Sequence, residues 1–382
     1  MRGISKARDE RPRHLAEVAF VALRLGFTAF GGPAVHIAML RDEVVVRRRW
    51  LTDEEFMDLL GATNLIPGPN STEMVIHVGV RRAGWPGLAV AGLLFILPAA
   101  AIVLACAWAY VVWGRTPGAA WVLYGIKPVI IAVVVQAIWG LARTAVKNVF
   151  LGVLAVAAVA LYLTGVNELA ILFGTGLFVA IVRSPLLRPS SMLAVAPPLA
   201  MLTQAPPDLS RLALIFLKIG SVLYGSGYVL VTFLRTEFVE RLGWITDRQL
   251  LDAVAVGQFT PGPVFTTATF IGFLIGSWPG ALLATAAIFL PSFVFVALTH
   301  RIVPRMRRSP VAAALLDGVN VAAVALMAGV VWQLGRAAIV DWLTAFLAVA
   351  AASCLLTWKI NSAWLVLAGA LVAVATRFLG MQ

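Results

Sequence analysis

The stretch Asn64-Leu65-Ile66-Pro67-Gly68-Pro69-Asn70-Ser71-Thr72-Glu73 decides how this chain folds, because it breaks an apolar segment and then recurs as Gln258-Phe259-Thr260-Pro261-Gly262-Pro263-Val264-Phe265-Thr266-Thr267. The match runs far beyond the tripeptide. At one constant spacing Gly26, Gly31, Arg41, Glu43, Trp50, Thr52, Asp53 and Asp58 fall on Gly220, Gly225, Arg235, Glu237, Trp244, Thr246, Asp247 and Asp252. With a single residue deleted, Gly79, Trp85, Pro86, Gly87 and Pro98 then fall on Gly272, Trp278, Pro279, Gly280 and Pro291. A register held that long is an internal duplication.

The surroundings of the two copies are those of a membrane protein. Of the 382 residues 61% are hydrophobic and 13% charged, whereas a soluble domain carries about 25% charged residues. Apolar runs such as 86–107, 121–139, 149–164 and 282–298 reach or approach the ~20 residues that span a bilayer as a helix. They lack the alternation of barrel strands, so the fold expected is an all-α polytopic membrane protein of two homologous helical halves. The expected organisation is a basic tail at 1–14, a first repeat at 15–183, a Pro-rich linker at 184–209 and a second repeat at 210–382. The basic tail leads into an apolar stretch, but Arg24 lies inside that stretch and the second copy has the same layout internally, so a cleaved signal peptide is not expected.

The net charge of +12 sits in loops and ends, among them 2–13, 47–49, 81–82 and 301–308. In a chain this apolar it reads as cytoplasmic anchoring, and no nucleic-acid partner is expected. Cys106 and Cys354 stand singly in apolar segments, so neither a metal centre, a disulfide nor a cofactor is expected. The repeats are expected to be inverted, on the reasoning that an odd number of crossings per half reverses the second. Counting each apolar segment as one crossing puts 301–308 with the N-terminus and 47–49 on the other side. Whether 53–82 crosses or turns back stays open at this point.

Each Pro-Gly-Pro stops a helix, since proline lacks a donor and glycine reaches conformations other residues avoid. Backbone groups freed at membrane depth are tolerated only against protein or a water-filled cavity, and the start of the next half-helix attracts anions. Paired breaks at matching positions of two halves mark a transporter site. Capping alone explains the polar residues beside them equally well, namely Asn64, Asn70, Ser71 and Thr72 in one copy and Gln258, Thr260, Thr266 and Thr267 in the other. The glycine-rich breaks Phe30-Gly31-Gly32-Pro33 and Tyr224-Gly225-Ser226-Gly227 read either as close helix packing or as a second backbone cradle. Arg24 and Lys218 occupy the same repeat position inside apolar helices, which suggests a demand for positive charge, with snorkelling to an interface as the plain alternative. Glu73, His36 and His77 are candidates for proton coupling, although Glu73 has Arg81 and Arg82 as possible ion-pair partners and a packed histidine is the commoner case.

Phe30-Gly31-Gly32-Pro33-Ala34, Trp50-Leu51-Thr52 and Ile66-Pro67-Gly68-Pro69-Asn70, with their second-half counterparts in the same order, resemble the chromate ion transporter (CHR) family, in its long two-domain form. The resemblance implies a secondary transporter of the bacterial inner membrane that exports chromate by alternating access, driven by proton gradient or membrane potential, and so gives chromate resistance. It implies halves of opposite orientation and an oxyanion site built from the residues named above. Its partners would be chromate or a similar small oxyanion and the lipid bilayer, with a homodimer left open. Sulfate is the isosteric alternative, as carrier or channel substrate. A membrane enzyme is disfavoured, because two lone cysteines and four scattered histidines supply no redox or nucleophilic centre.

Overall fold

The computed structural model describes residues 2–30, 32–64, 66–114, 117–183, 208–224, 229–300, 310–358 and 362–378. The first repeat contains α1 (Arg2–Thr28), α2 (Pro33–Arg41, continued by a π-helical turn at Asp42–Arg47), α3 (Asp53–Thr63) and α4 (Asn70–Trp113). It ends with α5 (Pro117–Ala145), α6 (Val149–Leu163) and α7 (Glu168–Arg183). The second repeat contains α8 (Leu209–Val222), α9 (Leu230–Leu234, with a π-helical turn at Arg235–Arg241), α10 (Asp247–Phe259) and α11 (Thr267–Thr299). It ends with α12 (Pro310–Ala338), α13 (Trp342–Trp358) and α14 (Ser362–Phe378). Helix α1 starts at Arg2, so the basic tail is helical.

Among the described residues four helices are long and apolar enough to cross a membrane: α4, most of α5, α11 with the turn before it, and most of α12. At 1.5 Å per residue a straight α4 of 44 residues would measure about 66 Å, twice the ~30 Å hydrocarbon core. It therefore folds back on itself. Gly84 leaves the helical region at φ 67°, ψ −151°, and the arms 70–83 and 85–113 close on each other through glycines. A Cβ placed on Gly79 would lie 2.4 Å from the Gly87 carbonyl oxygen and 2.5 Å from the Ala91 Cβ. Helix α11 does the same at Gly276 and Ser277, with Gly272 against Gly280 and Ala284 and a Thr269–Thr285 hydroxyl bond of 2.7 Å between the arms.

Contacts between helix ends give the topology. Arg82 bonds Glu17 at 2.7 Å, Arg81 bonds Glu55 at 2.8 Å, and Arg48 lies over the rings of Phe20 and Trp50. The outer part of α1, the end of α2, the start of α3 and the apex of α4 therefore share one end of the bundle, called the basic end below. Residues 53–82 accordingly do not cross: α3 descends to the Pro-Gly-Pro loop and the first arm of α4 returns. Lys147 and Arg183 both bond Asp317, at 2.6 and 2.8 Å, which places the ends of α5 and α7 and the start of α12 at the basic end too. The starts of α5 and α10 and the end of α12 meet at the opposite end, where Tyr124 bonds Asp341 and Tyr110 bonds Asp252.

The halves are thus inverted. Two expectations about how this arises are corrected. Each half comprises two hairpins that turn back, α1–α2 and α3 with the first arm of α4 in the first repeat, and then four further helical segments, an even number, and the inversion comes instead from the connection: the described chain leaves α7 at the basic end and enters α8 at the opposite one. The segment count also failed for Arg47–Arg49, which turn out to lie with the N-terminal side because α2 and α3 form a turn there. The linker 184–207 and the cluster 301–308 lie outside the described residues.

Helices α1–α4 and α8–α11 pack as one bundle, centred on α4 against α11. A second bundle interleaves the repeats, with α7 and α6 on α12 and α14 and α13 on α5. Interior density is maintained by residues such as Phe95, Phe216, Phe233, Phe265 and Phe270, each under 2% exposed.

Candidate functional site

Both Pro-Gly-Pro loops are buried at the α4–α11 interface, where they exchange hydrogen bonds between repeats. The Gly68 N–H donates to the Leu223 carbonyl at 2.7 Å, and the Gly262 N–H donates to the Ala29 carbonyl at 2.9 Å. Ala29 and Leu223 hold the same repeat position, each just before a glycine-rich break. Glycine is required at both donors, at φ 138° for Gly68 and 93° for Gly262, a region that residues with a Cβ scarcely enter. Pro67, Pro69, Pro261 and Pro263 hold the loops extended; Pro69 at φ −77°, ψ 93° and Pro263 at φ −70°, ψ 128° each precede the turn that starts the next helix.

The polar residues of the two copies divide into satisfied and unsatisfied groups. Thr260 and Thr266 donate to the Val256 and Pro263 carbonyls, and Thr267 donates to the Val264 carbonyl. These three hydroxyls are committed to their own turns. Asn70 Nδ2 donates to Asn64 Oδ1 at 2.7 Å, and Asn64 is exposed. By contrast Thr72 Oγ1, Gln258 Nε2, both oxygens of Glu73, both ring nitrogens of His77 and Ser292 Oγ are buried without a hydrogen-bond partner. More than nine in ten buried polar groups are normally paired, so these atoms beside the two loops are the candidates for contact with a polar guest. His36 is buried and lies 3.3 Å from Ser71 Oγ.

Arg24 and Lys218 occupy the same repeat position but are not interior cations: their side chains are 46% and 38% exposed, and each has a carboxylate. Arg24 bonds Glu43 at 3.2 Å and Lys218 bonds Glu237 at 2.5 Å. Arg47 and Arg241 reach the same carboxylates, and Arg41 and Arg235 clamp Asp53 and Asp247. Glu43 and Glu237 were visible as matched residues, yet their role as partners of Arg24 and Lys218 depends on the re-entrant turn. Glu73 is not the partner of Arg81 or Arg82, which bond Glu55 and Glu17. Gly32 caps α2 at φ 85°; Gly31, Gly225 and Ser226 lie outside the described residues.

The matching and mismatching of residues across the two loops is informative. A Cβ on Gly68 would meet Glu73 Oε1 at 2.1 Å and Ser292 Oγ at 2.9 Å, while one on Gly262 would meet the Ala99 Cβ at 2.7 Å. Ser292 and Ala99 share a repeat position, as do Glu73 and Thr267. One loop thus faces an acid and a hydroxyl, the other a methyl group. Ser292 escaped sequence reasoning because it reaches the first loop from the other repeat. A second missed group is Asp252, wholly buried, with Lys127 Nζ at 3.0 Å and the Tyr110 hydroxyl at 2.9 Å. Its match with Asp58 was legible, its cation was not, since Lys127 has Asn320 as counterpart.

Comparison with known proteins agrees with this two-fold construction. The family model described as Chromate transporter matches twice, over residues 16–180 and 210–374. The chain belongs to the chromate transporter family. It is 34% identical to the chromate transport protein of Cupriavidus metallidurans, over 93% of this chain and 91% of that one. Identity is 31% to the probable chromate transport protein of Synechococcus elongatus, over 89% and 88% of the two chains. The chromate transport protein of Pseudomonas aeruginosa is also 31% identical, over 80% and 77%. No solved structure matches. A chromate transporter family chain is a membrane transport protein and not an enzyme, and no group of three or more metal-binding side chains occurs among the described residues.

Proposed function

We propose that the chain exports chromate across the bacterial inner membrane as a secondary transporter, with the two Pro-Gly-Pro loops as one central site. The observation that carries this reading is the reciprocal pair of bonds from each loop to the glycine-rich break of the other repeat, Gly68 to Leu223 and Gly262 to Ala29, which joins two inverted halves beside buried polar atoms without a partner. The relatives named as chromate transport proteins supply the substrate. A tetrahedral dianion matches Thr72, Ser292, Gln258 and the starts of two half-helices, whose N–H groups favour negative charge. Arg24 and Lys218, partly exposed beside their carboxylates, add the positive charge along the way in.

Alternating access is supported by unequal cover on the two hairpins. Helix α10 is packed by α5, α12, α14 and α4 as well as α11, whereas among the described residues the close partner of α3 is α4. The uncovered side of α3 presents Met57 between a polar start, Asp53 and Glu54, and Asn64 just past its end, a side left open toward the basic end. The site is therefore read as facing the basic end. By the positive-inside rule that end is cytoplasmic, so this is the state that loads an anion from the cytoplasm. A negative interior favours exit of a dianion by roughly 4–5 kcal/mol per 100 mV.

Uptake of labelled chromate into inverted vesicles, with sulfate as competitor and with proton gradient and potential set independently, tests the reading. Accumulation against a gradient is expected; downhill movement alone would make the protein a channel, and preferred transport of sulfate would change the substrate. Arg24→Gln with Lys218→Gln is expected to abolish transport with membrane insertion intact, and full transport would remove the pair from the site.

A further inference from the structure

Glu73, His77 and His300 line one side of the first loop, and nothing titratable stands at their repeat-related positions. Glu73 is wholly buried, with the Ser292 hydroxyl as the polar group beside it and no cation on either oxygen. It projects onto Gly68 and Ser292, one turn from the start of α4. His77 follows one turn later on the same face, also wholly buried and unpartnered. Helix α11 presents Ser292, Val296 and His300 at intervals of four, one helical stripe. Val296 packs with Ile76 and Val80 of the α4 arm, so the stripe runs alongside that arm, with Ser292 beside Glu73. His300 ends the stripe at the basic end, edge-on to Trp85 at 5.2 Å and with Nδ1 on the Ala297 carbonyl at 2.7 Å. In the other repeat these positions are Thr267, Ile271 and Ala107.

We propose that Glu73, His77 and His300 form a one-sided proton path from the basic end to the central site, and that Glu73 must take up a proton before the first loop accepts a dianion. This rests on the oxyanion reading above. A buried carboxylate with no cation beside it is strongly disfavoured, so Glu73 is neutral whenever the site is closed to water and ionises only while the empty site is open to it. Ionised, it would sit at the amino end of the half-helix as a resident anion, taking the helix dipole for itself and repelling a second negative charge. The proton enters from water at the basic end, where His300 exchanges it at Nε2, its Nδ1–H being held by the Ala297 carbonyl; His77, with both ring nitrogens unengaged, accepts on one and donates from the other, and the proton rests on Glu73. One proton is bound for each anion bound and is released to water on the far side as the anion leaves, so the unit that crosses carries one net negative charge.

The other groups around Glu73 leave this role to it. On its own arm Arg81 and Arg82 are paired with Glu55 and Glu17. From α2, His36 engages Ser71. From α11 come Ser292 and His300, from just beyond α3 Asn64, and from just beyond α8 Tyr224. None of these is a carboxylate.

The full chain in liposomes, clamped at zero potential, allows the test. Chromate exchange is measured across pH, and an internal pH dye follows proton movement. Wild type is expected to exchange faster as pH falls and to move protons with chromate. Glu73→Gln, which stays neutral, is expected to exchange chromate with a flat pH profile and no proton signal. Glu73→Thr, the residue of the other repeat, serves the same comparison if the first variant fails to assemble. His300→Gln is expected to slow the response to a pH step at the basic end and leave a step at the opposite end unchanged. An unaltered pH profile in the Glu73 variants, or chromate exchange in wild type with no proton signal, overturns the proton path alone. Wild type that moves neither chromate nor sulfate overturns the oxyanion reading and the path with it.

Discussion

The two re-entrant hairpins share a sequence pattern, a capping motif and a Pro-Gly-Pro tip, yet one is enclosed and the other is not. In α10, Leu250, Leu251, Asp252, Ala253, Val254 and Ala255 are buried, while α3 buries Phe56, Leu59 and Thr63. The local chemistry of the repeats is nearly identical, so the difference lies in how the second bundle leans. It closes over the second hairpin and leaves the first open. The polar latch Lys127–Asp252–Tyr110 lies on the closed side, and Tyr162, Gln333 and Arg235 join the same region.

The comparison breaks most directly under chemical labelling. Met57 and Leu251 occupy one repeat position, at 49% and 2% exposure. With Cys106 and Cys354 replaced, a water-soluble maleimide should modify Met57→Cys readily and Leu251→Cys scarcely at all. Equal labelling would mean the two hairpins are equally open and would remove the asymmetry.

Next in size is the latch itself. Lys127→Met leaves Asp252 buried without its cation, a change that costs about 3–5 kcal/mol. The repeat-related Asp58 is only partly buried, and Asp58→Asn should shift stability by no more than about 1 kcal/mol. Thermal unfolding in detergent reads both. Pairing Lys127→Met with Asp252→Asn should recover much of the loss, and the single variant should raise labelling of Leu251→Cys. A Lys127→Met protein as stable and as closed as wild type would show that the latch holds nothing.

Where the repeats are alike the effects should be alike. Gly79 and Gly272 each face a carbonyl oxygen of the neighbouring arm, so that an added Cβ would stand 2.4 Å from it. Gly79→Ala and Gly272→Ala must each push backbone apart, at about 1–3 kcal/mol apiece. Losses that differ several-fold would mean that the α4 and α11 turns are not equivalent.

Much of this was legible in the residues. The duplication announced two equivalent breaks, and Trp85 and Trp278 marked where new segments begin. What escaped was the direction of travel after each break. Pro86 and Pro279 sit in apolar helical stretches compatible with either a kink or a full turn, and only the contact of Gly79 with Gly87 and Ala91 distinguishes them. The same blindness hid the carboxylates of Arg24 and Lys218, because ion pairs between residues nineteen apart require the intervening chain to reverse. Ser292 beside Glu73 was hidden more deeply still, as a contact between repeats has no signature along one chain.

The smallest difference between the hairpins is in their caps. Thr52 and Glu55 form a reciprocal cap at the start of α3, with the Thr52 N–H donating to the Glu55 carboxylate at 3.0 Å and the Glu55 N–H donating to Thr52 Oγ1 at 3.1 Å. Thr246 and Gln249 form the same cap on α10 with a neutral side chain. The backbone bond from Thr52, with Arg81 assisting, holds the Glu55 carboxyl below its ordinary value of 4.5. A carboxyl lowered on folding contributes stability that is complete above its unfolded value and is lost as pH falls through the lower, folded value. Helix α3 should therefore loosen in acid where α10 does not. Glu55→Gln copies the second cap onto the first. At neutral pH the exchange should change unfolding by no more than about 0.5 kcal/mol, while below pH 4.5 amide exchange in α3 should become as insensitive to acid as in α10. If the acid response of α3 persists in that variant, another group governs it, and the open hairpin differs from the closed one by more than its cover.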